Sequence, residues 1–147
     1  MSEEAFEKYA MREALREAER AFEEDEVPIG AVITQQGKII ARAHNQTQAL
    51  NDPTAHAEML AITAACNTLA SYNLSRCTLY VSVEPCHMCA GALHWAQIGA
   101  VYYGASDPKR GYTLYTPTLL HPRTFVKSGI MEQESVTLLQ HFFKNKR

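Results

Sequence analysis

Apolar residues recur along the chain with two different periods, which predict helices and strands in alternation. The first predicted helix is capped by Ser2 and ends at about Glu24, because its apolar residues form one stripe at helical spacing. The stripe contains Phe6, Tyr9, Ala10, Leu15, Ala18 and Phe22. Two short apolar runs, 31–34 and 38–41, flank Gln36-Gly37 and predict a β-hairpin.

Two apolar stretches that follow prolines predict the next helices. Pro53 precedes an alanine-rich stretch that predicts a helix over 54–70, and Pro85 precedes a stretch that predicts a helix over 86–98. Proline favours the first helical turn because its φ angle already suits a helix and it has no N–H to leave unpaired. The candidate caps of the first of these helices are Asp52 and Thr54.

Short strands and a last helix complete the pattern. The almost continuous apolar run 78–82 predicts a strand that is buried on both faces. The other elements are a strand at 100–104, a loop or short turns at 105–124, a short strand at 125–127 and a helix from about 132 to the end. This order predicts an α/β fold, a three-layer α/β/α sandwich with a central mixed five-stranded sheet. The ligand-bearing helix starts should then converge near one end of the sheet.

Length, composition and charge narrow the class of protein. We expect 147 residues to form one domain, 1–147, in a reducing cytoplasm, since the four cysteines suggest no disulfide framework. The acidic N-terminus and the lack of a long apolar run predict neither a signal peptide nor a membrane span. The net charge is −2, but residues 1–26 hold ten acidic and four basic side chains. The remainder is therefore basic, which is compatible with binding RNA phosphates.

The most informative chemistry is a set of zinc-type ligands at two predicted helix starts. His56 is followed two residues later by Glu58, and Cys86 and Cys89 follow Pro85. Three ligands without an obvious fourth indicate a catalytic zinc, because a structural zinc is normally closed by four protein groups. Both thiols lie in a helix N-terminal turn, whose partial positive charge lowers a thiol pKa.

Glu58 is predicted to transfer protons and not to bind the metal. From two residues away on a helix, it cannot easily ligate the ion that His56 binds, but it can reach a water in the open position. A carboxylate there can take a proton from the water and give it to a reacting group. The spacing therefore predicts a hydrolytic zinc site.

The cysteine motif has two other interpretations. A lone C-x-x-C can be a redox pair, but that leaves His56 and Glu58 without a role. A closed structural site needs one more ligand, for which the candidates are His87, His94, Cys66 and Cys77. The last two are predicted to be buried, small apolar groups, and His94 a packed or interface residue.

Four stretches of the chain carry motifs beyond this spacing: Glu26–Val32, Asp52–Glu58, Leu79–Ala92 and Gly104–Gly111. The second and third contain the H-x-E and P-C-x-x-C signature of zinc nucleobase deaminases. Together the stretches resemble the cytidine deaminase superfamily, and within it the bacterial deaminases that convert the wobble adenosine of tRNA to inosine. The resemblance implies a cytidine deaminase-like fold, a tRNA anticodon loop as substrate and a homodimer.

The resemblance also implies a role for each matching residue. One zinc ion per chain would be bound by His56, Cys86 and Cys89, with Glu58 as the proton shuttle. For the substrate, Asn45 would hydrogen-bond the target nucleoside, and Asp107 and Lys109 would touch the flanking nucleotides. The C-terminal helix resembles the family's aromatic and basic one in Phe142, Phe143, Lys144, Lys146 and Arg147, with one phenylalanine expected in the core.

The chain departs from the family pattern in one loop, and two other functions are alternatives to the deamination of tRNA. Residues 112–117 read Tyr-Thr-Leu-Tyr-Thr-Pro where the family often has small residues. The stretch 61–66 and Trp95-Ala96 resemble guanine deaminases, so deamination of free guanine or cytosine is the alternative activity. A non-catalytic, zinc-stabilised binding domain is the alternative of another class, against which the intact Glu58 argues.

Overall fold

Helices and strands follow the predicted order in the computed structural model, which describes residues 1–115 and 118–146. The helices are α1 (Glu3–Glu23), α2 (Ala57–Leu69), α3 (His87–Ala96) and α4 (Glu132–Lys144). The strands are β1 (Gly30–Gln35), β2 (Lys38–His44), β3 (Thr78–Val83), β4 (Ala100–Ala105) and β5 (Phe125–Lys127). The predicted loop at 105–124 contains a 3-10 turn at Tyr112–Leu114. Thr116, Pro117 and Arg147, which the sequence predictions also covered, lie outside the described residues.

The five strands form one mixed sheet in the order β2-β1-β3-β4-β5. Strand β1 is antiparallel to both β2 and β3, whereas β3, β4 and β5 are parallel. The β1–β2 turn has positive φ angles at Gln36 and Gly37, of 51° and 75°, as a tight hairpin of the predicted kind requires. The predicted mixed five-stranded sheet is confirmed.

Helices cover both faces of the sheet, which confirms the three-layer sandwich. Helices α1 and α4 pack on one face, and α2 and α3 pack on the other. Small residues let the layers approach closely. At Gly30, for example, a Cβ atom would lie 2.1 Å from the carbonyl oxygen of Ala14, so α1 rests directly on β1. The acidic helix α1 therefore lies on the opposite face of the sheet from α2 and α3.

Three chain segments converge at one edge of the sheet. The ends of β2 and β3 are brought together by β1, since Gly30 pairs with His44 and its N–H donates to Ser82 Oγ at 3.1 Å. The end of β4 lies beside the end of β3 through the pair Val83 and Ala105. The segments that follow these three strands carry all the predicted site residues. The prediction that the ligand-bearing helix starts meet at one end of the sheet is confirmed.

One predicted boundary is wrong. Helix α2 begins at Ala57, with His56 in extended conformation as its cap residue, and not at Thr54. Asp52 instead closes a local turn, because its Oδ1 accepts hydrogen bonds from the backbone N–H and the hydroxyl of Thr54 at 2.8 and 2.7 Å. Competing bonds of this kind from Asp and Thr favour a turn over a helix. Within the described part of the chain, no helix combines the length and the apolar character needed to cross a membrane.

Candidate metal centre

Three metal-type ligand atoms meet where α2 and α3 begin. His56 Nδ1 lies 3.6 Å from the Sγ atoms of both Cys86 and Cys89, and the three ligand atoms are within 4.8 Å of one another. Zinc bonds of roughly 2.3 Å to sulfur and 2.0–2.1 Å to nitrogen, at a tetrahedral angle, give a nitrogen–sulfur separation of about 3.6 Å. The spacing of this set therefore fits a tetrahedral zinc ion.

Local structure explains why these side chains converge. His56 and Cys86 are the cap residues of α2 and α3, with extended backbones, so each stands at the mouth of a helix. Cys89 lies in the first turn of α3 and is fully buried. Its sulfur also accepts a hydrogen bond from the backbone N–H of Met59 in α2. Two helix N-termini thus direct unpaired N–H groups toward the same point, which favours negative charge there.

The two cysteines differ in their affinity for a proton. A hydrogen bond from Cys89, reinforced by one from His56, lowers the pKa of Cys86 to about 3. The pKa of Cys89 is raised, chiefly by its hydrogen bond to Cys86 and by burial. The hydrogen bond to Cys86 raises the pKa of His56. Cys86 is therefore the thiolate of the pair, and a bound cation would favour deprotonation of Cys89 as well.

Glu58 lies beside the three ligands without being one of them. Among the described residues, the group that could hold an ion comprises only His56, Cys86 and Cys89. The Glu58 side chain belongs to the second residue of α2 and is 3% exposed. Burial raises the pKa of Glu58 to about 7, against hydrogen bonds from its own backbone N–H and from Cys89 that lower it. A carboxyl group with such a pKa can both take and give a proton near neutral pH.

The predicted substrate residues lie on two loops at this edge of the sheet. Asn45 directly follows β2 and is 7% exposed, and its neighbour Gln46 donates its N–H to Ala55 O, next to His56. Asp107 and Lys109 lie in the loop after β4. Asp107 Oδ1 accepts hydrogen bonds from the backbone N–H groups of Lys109 and Arg110 at 3.1 and 3.0 Å. The Asp107 side chain therefore fixes the turn that presents two cations to solvent.

The other candidate ligands lie outside the cluster. Cys77 is buried and Cys66 half-buried in the core between α2, α3 and the sheet, and burial raises the pKa of both thiols. His94 Nδ1 pairs with the carbonyl oxygen of Leu119 at 3.1 Å, and the exposed His87 packs against Tyr115. The set therefore keeps three ligands, as a catalytic zinc site does.

Residues 4–105 match the model of the cytidine and deoxycytidylate deaminase zinc-binding region. The chain belongs to the cytidine and deoxycytidylate deaminase family. The membership that the sequence motifs predicted is thus confirmed.

Particular relatives are similar over most of the chain. The tRNA-specific adenosine deaminase of Agrobacterium fabrum is 46% identical over 142 residues, which is 93% of each chain. A structure solved in work on A-to-I editing by tRNA:A34 deaminases at the wobble position of transfer RNA is 47% identical, with a TM-score of 0.84 over 89% of this chain and 99% of that one. The guanine deaminase of Bacillus subtilis is 34% identical, with a TM-score of 0.66 over 100% of this chain and 98% of that one.

Two buried glutamates anchor the loops around the site, a role that the sequence did not reveal. Glu26, 1% exposed, accepts hydrogen bonds from the N–H groups of Gln48 and Ala49, in the loop that begins at Asn45. Glu84, 4% exposed, accepts bonds from the loop after β4. Each partner lies more than twenty residues away, so no local spacing announces it. Both residues lie in the motif stretches 26–32 and 79–92, but those motifs did not indicate that either one anchors a loop.

Proposed function

We propose that this protein is a zinc-dependent deaminase that converts adenosine to inosine at the wobble position of tRNA. The observation that carries the deaminase chemistry is the three-ligand set with the buried Glu58 beside it. The RNA substrate is supported by the 46% identity to a tRNA-specific adenosine deaminase, which exceeds the 34% identity to a guanine deaminase.

The site residues that we propose are those of the sequence prediction. His56 Nδ1, Cys86 Sγ and Cys89 Sγ would hold one zinc ion per chain, in keeping with their 3.6 Å nitrogen–sulfur spacing. When bound, zinc supplies a Lewis acid that makes water acidic enough to ionise near neutral pH. Among the described residues no fourth side chain joins these three, so a bound zinc would keep a position for that water.

Glu58 would carry the protons of the reaction. Hydrolytic deamination consumes one water and releases one ammonia, so a proton must leave the water and another must reach the departing amine. With a pKa of about 7, the Glu58 carboxyl can accept one proton from the water and donate it to the purine ring nitrogen. It can then accept the proton of the added hydroxyl and donate it to the amine, which leaves as ammonia. Its 3% exposure keeps bulk water from competing for these transfers.

The loops around the site would hold the RNA. Asn45 directly follows β2, and the N–H of its neighbour Gln46 is bonded to Ala55 O beside His56, which supports a role for Asn45 in binding the target nucleoside. Asp107 would act through the turn that it caps, and Lys109 would contact a flanking phosphate. RNA enzymes of this type need the target base unstacked and its neighbours held.

We also propose a cytoplasmic homodimer. Four cysteines without a disulfide suit a reducing compartment. Trp95 on α3 is 84% exposed, and because tryptophan is enriched at protein interfaces, we place the second copy against it.

A substrate panel tests the proposal. Purified protein is incubated with an anticodon stem-loop that bears a wobble adenosine and, separately, with guanine, cytosine and cytidine, while released ammonia is measured. We expect ammonia from the stem-loop. Brisk deamination of guanine without inosine in the stem-loop would assign a free-base enzyme, and no ammonia from any substrate would favour a binding domain.

A further inference from the structure

The loop at residues 107–115, here called the rim loop, is hydrogen-bonded to the buried carboxylate of Glu84. Glu84 Oε1 accepts the N–H of Asp107 at 3.0 Å. Its Oε2 accepts the N–H and the hydroxyl of Thr113 at 3.0 and 2.7 Å. Glu84 is 4% exposed, so these bonds form out of contact with bulk water and are of the strong, charge-assisted kind. Glu84 therefore fixes the start of the rim loop and a point two residues before its end.

The rim loop is also joined directly to the metal-ligand turn. Gly111 pairs with Cys86 through an isolated β-bridge, and the N–H of Tyr112 donates to Pro85 O at 2.9 Å. A Cβ atom on Gly111 would lie 2.1 Å from Glu84 Oε2, so only glycine permits this approach. The position of the rim loop relative to the metal centre is thus set before any substrate arrives.

The rim loop carries one member of an exposed aromatic pair, Tyr115, whose partner is His87. The rings of Tyr115 and His87 lie 5.4 Å apart at 44°, and His87 directly follows Cys86 in the chain. Both side chains are exposed, with Tyr115 at 44%, whereas Tyr112 is buried against Tyr103. Arg110, also exposed, lies between the Asp107 cap and the Gly111 bridge. The aromatic pair therefore adjoins Cys86, and Arg110 precedes the residue that bridges to Cys86.

We propose that Tyr115 and His87 form a stacking subsite for a nucleobase adjacent to the target nucleotide, with Arg110 placed for a phosphate next to that base. This inference rests on the proposed RNA substrate. Proteins hold single-stranded RNA by stacking unpaired bases on aromatic side chains beside a cationic track. A stacked neighbour would keep the target base splayed toward Glu58. A free base offers neither a neighbouring base nor a phosphate, so this subsite would act on RNA alone.

Binding measurements on turnover-deficient protein test the subsite. The Kd for a labelled stem-loop is measured for the Glu58→Ala protein, here the parent, and for the same protein with Tyr115→Phe or Tyr115→Ala added. We expect the alanine variant to bind about 5- to 150-fold more weakly, the range that base–aromatic stacking supplies. The phenylalanine variant retains the ring and should bind within about twofold of the parent.

Abasic substitution identifies the stacked base. We expect the parent protein to bind more weakly to stem-loops that lack the base on the 5′ or the 3′ side of the target. For one of these two stem-loops, the Kd values of the parent and of Tyr115→Ala should be equal. Equal Kd values for Tyr115 and Tyr115→Ala, or an alanine effect that persists with both neighbours abasic, would overturn the subsite. Wild-type protein that forms no inosine in the intact stem-loop would instead reject the proposed function, so the two failures are distinguishable.

Discussion

At the scale of single residues, burial and distance separate the role of Glu58 from that of the candidate ligands. His56, Cys86 and Cys89 bring their ligand atoms within 4.8 Å of one another, whereas Glu58 is the buried acid beside them. The pairs His56–Glu58 and Cys86–Cys89 could each be proposed from the sequence, because two residues so close at a helix start have positions fixed by their spacing. The meeting of the two pairs depends on the sheet, in which β1 joins the ends of β2 and β3.

Replacing Glu58 by Gln or Ala should remove turnover and leave the metal in place. Loss of a general acid–base typically costs about 10²–10⁴-fold in rate. Gln is the matched variant, since it keeps the shape of the side chain and removes only its ability to exchange protons. Zinc content and the rate of inosine formation are measured on the same preparation. A Glu58→Gln protein without zinc would make this residue a ligand and contradict the assignment.

Replacing Cys86 or Cys89 by Ala should remove zinc, because the described part of the chain offers only three protein ligands. The matched control is Cys66→Ala, since Cys66 is half-buried in the core and belongs to no metal cluster among the described residues. Metal analysis of the purified variants checks the expectation of about one zinc per chain in the control and far less in the other two. A full zinc content in the Cys86→Ala, Cys89→Ala double variant would place the metal elsewhere.

Replacing Lys109 by Ala should lower the salt dependence of RNA binding. Each phosphate contact on a single strand contributes about 0.7 log units of affinity per tenfold change in salt. Lys38→Ala is the matched control, because Lys38 is exposed at the start of β2, at the opposite end of that strand from the site. Binding is measured across a salt series. An unchanged slope in Lys109→Ala would mean that Lys109 contacts no phosphate.

At the scale of elements, the loops depend on partners that are distant in the sequence. Helix and strand types followed from local periodicity, but the start of α2 did not, because side-chain bonds within the 52–54 turn outcompeted the helix. The anchoring of loops by Glu26 and Glu84 could not be predicted either. A carboxylate that accepts backbone N–H groups from another segment leaves no periodic trace in the sequence.

Replacing Gly111 by Ala should destabilise the protein by roughly 1–3 kcal/mol, since the new methyl group would collide with the Glu84 carboxylate. Gly91→Ala is the matched control: Gly91 lies inside α3 and a Cβ there meets no atom within 4 Å. That change should be neutral or stabilising by up to about 1 kcal/mol. Urea unfolding measures both free energies. Equal stability of the Gly111→Ala protein and the wild type would contradict the close contact with Glu84.

At the scale of the whole molecule, the fold was predictable and its surface was not. The order of elements implied a three-layer sandwich, because helices that alternate with strands must cover both faces of a sheet. The acidic helix α1 lies on the face opposite α2 and α3, away from the ligand-bearing helix starts. At the C-terminus, Phe142 is buried against Phe22 while Phe143 is 53% exposed, so one phenylalanine is in the core as expected. Which surface residues would recognise a substrate depends on their neighbours in the folded protein, and hydrophobic periodicity does not predict those neighbours.

The most direct test of the account is the formation of inosine at the wobble position of an anticodon stem-loop, measured by sequencing the RNA product. The protein is assayed as purified, after removal of zinc by a chelator, and after zinc is restored. We predict inosine with the purified and restored proteins, and none with the metal-free protein or with Glu58→Gln. Inosine formation that persists without zinc, or a zinc-loaded wild type that leaves the adenosine unchanged, would contradict the central claim.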